Sequence, residues 1–336
     1  MQDCLERGND LLTNGKMQEA YEAYSQIKLS EYENLNKNLV FQLCNNLAVC
    51  LLNLGRAAEA LDAFNSSHLT SSLEDDTSTL SEKRRADLAL NKAIILKSLQ
   101  RYEEALTEFD QCLAIQTDNL TAICGKAEIL SSLSRFDEAV EMTTTAIDAH
   151  PLDEQMAPTD LPKVTQILSL WVARGFASIK LKQFDNSMKD FNFVIQLASQ
   201  APYLTIIPRS ETSLTEAYRL RNICLSYYGD HLLSAGDILK AIEIYDEAIE
   251  VAGGEDVVPT VGVLFNRAYA YYQLSTNSAE YLDKAIEGFQ AVVKRDPNHF
   301  QGQTGLGQAL LNKADTMTAK GGTSSASSPL YHDLVR

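Results

Sequence analysis

The residue types that most often carry catalysis or bind metals are spread along the chain without forming a motif. The six cysteines never show the C-x-x-C spacing of a zinc or redox site. The five histidines fall in predicted loops, turns and the C-terminal end, so we can assign no Ser/His/Asp set and no paired-histidine metal site. We therefore expect no enzymatic activity, no cofactor and no bound metal. The histidines are His68, His150, His231, His299 and His332.

Amide and aromatic side chains offer binding chemistry instead. Asn46, Asn91 and Asn266 stand at the corresponding place in three predicted helices. A side-chain amide both donates and accepts hydrogen bonds, so these residues could bind the backbone of an extended peptide, or they could simply satisfy local groups. Phe265, Tyr269 and Tyr272, at helical spacing, could form an aromatic anchor site. Packing between helices is the alternative for these rings.

The helices that carry these residues follow a repeated helix-turn-helix pattern. One copy turns at residues 100–106 and the next at residues 134–140, and their small residues Ala105 and Ala139 are 139 − 105 = 34 positions apart. A small residue there lets two antiparallel helices approach closely. The same marker can be followed outward in both directions. It recurs as Ala20, Ala60, Ser187, Ala241 and Ala285.

In period and marker residues, the chain resembles the tetratricopeptide repeat proteins from Met1 to about Lys320. The resemblance implies an all-α fold, a right-handed solenoid of about seven helix-turn-helix repeats with a C-terminal capping helix. It also implies a concave groove, formed by the first helices, that binds peptides, helices or other subunits. The groove residues we predict are Asn9, Asn46, Val49, Asn91, Ile94, Phe176, Phe265, Asn266, Tyr269 and Tyr272.

One subset of this family holds the acidic C-terminus of heat-shock chaperones in a clamp of Lys and Arg side chains on successive first helices. Asn9 and Asn46 match the two amide positions of such a clamp. The positions that need Lys or Arg hold Leu5, Asp87 and Asn91 instead. Without those cations a bound carboxylate loses its charge-assisted hydrogen bonds. A co-chaperone function is therefore disfavoured.

Breaks in the repeat pattern predict the domain organisation. We expect an N-terminal lobe at 1–151 with a polar insert at 66–85, a hinge at 152–166, a C-terminal lobe at 167–320 with an insert at 202–215, and a disordered tail at 321–336. The end of the first insert, Leu80 to Arg85, could instead lengthen the following helix. The second insert is apolar and is expected to pack on the repeats, with partner docking as the alternative. Repeat seven has a long predicted turn, Ser275 to Leu282.

Composition narrows the range of partners. The formal net charge is −16, so the overall field repels nucleic acid and anionic lipid. The apolar runs are too short to span a membrane, and the N-terminus lacks the pattern of a secretory signal. Unpaired cysteines at predicted helix-facing positions fit a reducing compartment. We expect a cytoplasmic protein.

These observations predict a non-catalytic protein-protein interaction adaptor or scaffold. Its partner would be a protein, bound as a peptide or an amphipathic helix in the concave groove. The alternative is an obligate structural or assembly subunit of a large multiprotein complex, in which the inserts and the convex face make the contacts.

Overall fold

The computed structural model describes residues 2–27, 37–65, 81–152, 161–200, 203, 207, 212–251, 261–276 and 278–320. Within these residues the chain forms fifteen α-helices and no β-strand, which confirms the predicted all-α fold. None of the described helices is long and apolar enough to cross a membrane.

The helices follow one another in pairs. Their bounds are α1 Gln2–Thr13, α2 Met17–Ser25, α3 Lys37–Asn53, α4 Ala57–Asn65, α5 Glu82–Ser98, α6 Tyr102–Ile115, α7 Leu120–Ser132, α8 Phe136–Ala149, α9 Leu161–Lys180, α10 Phe184–Ser199, α11 Thr212–Ala235, α12 Ile238–Val251, α13 Val261–Leu274, α14 Ala279–Arg295 and α15 Phe300–Lys320. The odd-numbered helices up to α13 are the first helices of the seven predicted repeats, and α15 is the predicted capping helix.

Six of the turns inside these pairs share one geometry. In each turn one residue has a positive φ between 58° and 85°. Its N–H donates to the carbonyl three residues earlier, and the next N–H donates to the carbonyl five residues earlier. This Schellman arrangement satisfies the last carbonyls of the first helix. The positive-φ residue is Gly15, Gly55 or Gly236 in three turns and Gln100, Ser134 or Lys182 in the other three.

The small marker residue lies five positions after the positive-φ residue in each of these turns. Its N–H makes the first backbone bond of the second helix, as from Ala105 to the Arg101 carbonyl at 3.0 Å. The marker residues are fully or almost fully buried, so no space remains for a larger side chain where the helices cross. This confirms the register that the sequence predicts. The six residues are Ala20, Ala60, Ala105, Ala139, Ser187 and Ala241, and the predicted marker of the seventh pair, Ala285, is buried as well.

The contacts between residues divide the chain into two compact units. The first unit comprises 1–177 with 200–207, and the second comprises 178–199 with 208–336. In the first unit the main core forms around Ala60, Phe64, Ala93 and Phe109. In the second unit one cluster contains Tyr245 and Leu264, and another contains Ala268, Phe289 and Ala309.

Two helices begin inside segments that the sequence analysis predicts as an insert and a hinge. Helix α5 begins at Glu82 with Ser81 as its N-cap, so the end of the first predicted insert does lengthen that helix, while residues 66–80 lie outside the described residues. The predicted hinge at 152–166 contains the start of α9, because Pro162 is tolerated in the first turn of a helix. The described part of that stretch, 152 and 161–166, and the rest of α9 up to Ala177 belong to the first unit. The lobe boundaries therefore stay a prediction.

The second predicted insert and the turn of repeat seven are also shorter than expected. Tyr203 and Ile207 are buried, which agrees with packing of the insert, and α11 begins at Thr212. The long turn predicted from Ser275 to Leu282 is wrong, because α14 begins at Ala279. Ser278 caps that helix by accepting a hydrogen bond from the N–H of Glu280, and the extra residues become its first turn. The predicted tail, 321–336, lies outside the described residues.

Candidate functional site

The ten predicted groove residues all lie on first helices, divided between the two units. Asn9 is on α1, Asn46 and Val49 are on α3, Asn91 and Ile94 are on α5, and Phe176 is on the part of α9 that belongs to the first unit. Phe265, Asn266, Tyr269 and Tyr272 are all on α13, in the second unit. The structure therefore presents two sets of candidates.

In the first unit the amides link consecutive first helices to each other. The Asn9 Oδ1 accepts from the Tyr24 hydroxyl at 2.8 Å and from the Asn46 Nδ2 at 2.9 Å. Asn91 likewise donates from Nδ2 to the Oδ1 of Asn45 at 2.7 Å. Burial raises the pKa of Tyr24, so its hydroxyl stays protonated as a donor. These amides therefore form hydrogen bonds with side chains of neighbouring helices. Peptide binding by them stays a prediction.

The apolar candidates of the first unit are partly used in packing. Ile94 packs against the main core of the unit. Phe176 makes an edge contact with Phe136, with ring centroids 6.5 Å apart and an interplanar angle of 73°. Val49 is half-buried. Leu5, at one of the clamp positions that would need a cation, is buried in the N-terminal core.

The hydrogen bonds that Asn9 accepts from Tyr24 and Asn46 form what we call an amide junction. The second unit contains a similar junction in which the acceptor is a carboxylate instead of an amide. The Asp230 Oδ1 accepts from the Tyr245 hydroxyl and from the Asn266 Nδ2, both at 2.7 Å. Asp230 thus takes the place that Asn9 holds in the first unit. Burial raises the pKa of Tyr245, and the hydrogen bond to the neighbouring carboxylate raises it further. The junction fixes the orientation of a carboxylate at the surface of α11.

Glycine makes this junction possible. A Cβ at Gly229, directly before Asp230, would stand 2.7 Å from the Tyr245 Cδ1 and 2.8 Å from its Cζ. Gly8 lies against the Tyr24 ring in the same way. A larger residue would push each ring away from the acceptor that its hydroxyl reaches.

An open groove of about 570 Å³ lies beside Asp230 in the second unit. Three helices, α11, α13 and α15, contribute its walls. Tyr269 is 41% exposed and stacks on Phe265, with ring centroids 6.1 Å apart and planes 12° from parallel. Phe265 in turn packs on Phe289 and His299, so the exposed ring has a rigid support. The lining residues are Asp230, Leu233, Ser234, Phe265, Asn266, Tyr269, Gln273 and Gln301.

Tyr272 does not belong to this groove, so the predicted anchor of three rings is reduced to two. Its hydroxyl accepts from the Asn312 Nδ2 at 2.9 Å, and its ring makes an edge contact with Phe289 at 6.3 Å. The sequence analysis also missed Gln273 and Gln301 as groove residues. Gln273 could have been found, since it lies one turn after Tyr269. Gln301 could not have been found from the sequence, because its position in the groove depends on how the capping helix packs.

Two features of the described residues bear on metal binding and nucleophilic chemistry. Among the described residues, no group of three or more His, Cys, Asp or Glu side chains could hold a metal ion. Burial raises the pKa of Cys124 to about 12 and the pKa of Cys224 to about 11, so these thiols are not activated nucleophiles.

Comparison with known proteins agrees with this architecture. Residues 86–119, which form the third predicted copy, match the family model of the tetratricopeptide repeat. No curated protein matches the sequence. The C-terminal part of a TPR repeat-containing protein from Cytophaga hutchinsonii matches at 16% identity and a TM-score of 0.56, over 90% of this chain and 99% of that one.

A second solved structure, of Naa15/Naa10 bound to HypK-THB, matches at 15% identity and a TM-score of 0.50. The match covers 100% of this chain but only 44% of the other chain. Identities this low show a shared fold and nothing about partners. Residues 86–119 thus match one tetratricopeptide repeat, and the chain shares its helical fold with the solved structure of a TPR repeat-containing protein.

Proposed function

We propose that the chain is a tetratricopeptide repeat protein and acts as a non-catalytic interaction adaptor or scaffold that binds a partner peptide or helix along its first helices. The observation that supports this proposal is the groove formed by α11, α13 and α15. It presents a supported aromatic ring, Tyr269, beside the side-chain amides of Asn266, Gln273 and Gln301. Six free cysteines fit the reducing environment of the cytoplasm, where we place the protein.

The chemistry of the groove suits a polypeptide ligand. Tyrosine offers a large apolar face with little side-chain entropy to lose, which is why it is frequent among residues that dominate binding energy. Amides can pair with backbone N–H and C=O groups of an extended segment, or with polar side chains of a helix. Most of the affinity should then come from burying the aromatic face, with the amides setting the register.

Substitution of the exposed ring tests the proposal. Tyr269→Ala removes the ring surface and leaves the buried side of Phe265 in place, so it should weaken partner binding without unfolding the chain. Tyr218→Ala is the matched control, because Tyr218 is 44% exposed on α11 and does not line the groove. Affinity capture from the native cells with quantitative mass spectrometry should show partners lost from Tyr269→Ala alone. Equal recovery with both variants contradicts the proposal.

An obligate subunit of a multiprotein complex is the second candidate. The capping helix α15 exposes Phe300 (76%), Leu311 (51%) and Met317 (54%), three large apolar side chains of the kind that permanent interfaces usually cover. Size-exclusion chromatography with light scattering on the isolated chain separates the two candidates. A monodisperse monomer supports the adaptor, whereas aggregation, or neighbours that stay at fixed stoichiometry in high salt, supports the subunit.

A further inference from the structure

The amide junctions of Asn9 and Asp230 differ in the charge of the accepting side chain, and the fold does not require that difference. Asn9 and Asp230 each accept one hydrogen bond from a buried tyrosine hydroxyl and one from an asparagine amide of the next first helix. The distances lie between 2.7 and 2.9 Å in both junctions. A neutral amide oxygen therefore satisfies the same donors as well as a carboxylate oxygen does. The negative charge of Asp230 is not needed to hold the helices together.

That charge is left without a cationic partner in the part of the chain that the structure describes. Both donors to Asp230, Tyr245 and Asn266, are neutral. None of the ion pairs found there involves Asp230, and no Lys or Arg lines the groove. Asp230 is also exposed, so a ligand in the groove can reach it. An oriented and accessible carboxylate of this kind is complementary to a positively charged group.

The aromatic stack lies on the same side of α13 as the contact to this carboxylate. Asn266, which bonds Asp230, precedes Tyr269 by three residues, so the two side chains are neighbours along one helix face. A cation next to Asp230 can therefore extend over the exposed tyrosine ring. Of the two basic side chains, arginine fits better, because its planar guanidinium both stacks on a ring and pairs with a carboxylate.

We propose that the groove of α11, α13 and α15 binds a peptide segment that presents an arginine, with its guanidinium paired to Asp230 and stacked on Tyr269. This inference rests on the proposed function and names the chemistry of the partner. The amides of Gln273 and Gln301 then remain available to the peptide backbone around that arginine. The strongly negative net charge of the chain favours the approach of such a segment.

Peptide pools with one fixed position test the inference. Four fluorescein-labelled nonapeptide pools carry Arg, Lys, Glu or Ala at the centre and mixed residues other than Arg, Lys and Cys elsewhere. Anisotropy titration with the full chain should show the Arg pool binding at least about fivefold more tightly than the Ala and Glu pools. The preference should weaken as the salt concentration rises.

Two variants isolate the charge. Asp230→Asn keeps an acceptor for Tyr245 and Asn266, as Asn9 does in the first unit, and should lose the preference for Arg with an unchanged circular dichroism spectrum. Asp315→Asn removes one negative charge from the exposed surface of α15, outside the groove lining, and should keep the preference. Tyr269→Ala should weaken binding of every pool, and of the Arg pool most.

The outcomes separate this inference from the function on which it rests. Equal binding of the Arg and Ala pools, or an Arg preference that survives Asp230→Asn, overturns the inference and leaves the adaptor function standing. An Arg preference that Asp315→Asn removes equally also overturns it, because bulk charge would then be the cause. If no pool binds, the inference fails, and the capture experiment with Tyr269→Ala decides the adaptor function independently.

Discussion

Replacing Gly229 with alanine should destabilise the protein, although alanine is the better helix former. Gly229 lies within α11, and a Cβ there would meet the Tyr245 ring at 2.7 Å from Cδ1 and 2.8 Å from Cζ, with Cε1 nearer still. The ring has nowhere to move. Tyr245 is fully buried, and its hydroxyl is held at 2.7 Å from the Asp230 Oδ1.

The expected size of the effect follows from three opposing contributions. Overpacking a buried ring costs about 1–3 kcal/mol. Displacing the ring also weakens the hydrogen bond to Asp230, which contributes about 1 kcal/mol. Against this, alanine gains about 1 kcal/mol over glycine in a helix interior. The net expectation for Gly229→Ala is a loss of about 1–3 kcal/mol.

Gly307→Ala is the matched control in the same unit. Gly307 lies within α15, and a Cβ there would meet nothing within 4 Å, so only the gain in helix propensity remains. We expect it to stabilise the chain by about 0.5–1 kcal/mol. Urea denaturation followed by circular dichroism at 222 nm should move the two midpoints in opposite directions. A midpoint for Gly229→Ala at or above that of the wild type would refute the reasoning about the tyrosine junction.

Three further predictions concern the turns, the crossings and the thiols. Ser134→Gly should raise stability by about 0.5–1 kcal/mol in the same assay, because Ser134 has a φ of 60° that glycine adopts without strain; an unchanged or lower midpoint would contradict this. Ala139→Leu should lower stability by about 1–3 kcal/mol, because Ala139 is only 1% exposed and a larger side chain would overpack the helix crossing. An unchanged urea midpoint would contradict the placement of Ala139 at that crossing. Cys124 and Cys224, with pKa values raised to about 12 and about 11, should each react with iodoacetamide at pH 8 at least about 100-fold more slowly in the folded chain than in urea, because so little thiolate is present. Because the unfolded thiols ionise near pH 8.5, stability should fall as the pH rises from there towards 11; equal labelling rates in both states would show that these thiols are not buried.

The sequence predicted the features that repeat and missed those that join one repeat to the next. The buried marker alanines and the turn glycines follow from local rules, since close helix crossing requires a small residue and a positive φ favours glycine. Helix ends at the insert and at repeat seven depended on single capping residues, Ser81 and Ser278. The partners of Asn46 and Asn266 lie 37 and 36 residues away, and no pattern within one repeat reveals them.

The same limit explains why the groove could be predicted only in part. Spacing along α13 placed Phe265, Asn266 and Tyr269 on one face, and the structure brings these residues to one groove. Tyr272 has similar spacing but is held by Asn312 of the capping helix, a contact that depends on how α15 packs. Helical periodicity gives the direction of a side chain, whereas its availability to a ligand depends on the neighbouring helix.

The junctions suggest how a repeat fold separates stability from recognition. Each tyrosine hydroxyl and each asparagine amide needs one acceptor on the preceding first helix, and either an amide or a carboxylate oxygen meets that need. The structural requirement therefore fixes the position of the acceptor but leaves its charge open. In the first unit that position is neutral, whereas in the second it is an ionisable carboxylate in an open groove beside a stacked tyrosine. Because the fold tolerates both, the charge at Asp230 can serve a ligand without cost to the helix packing.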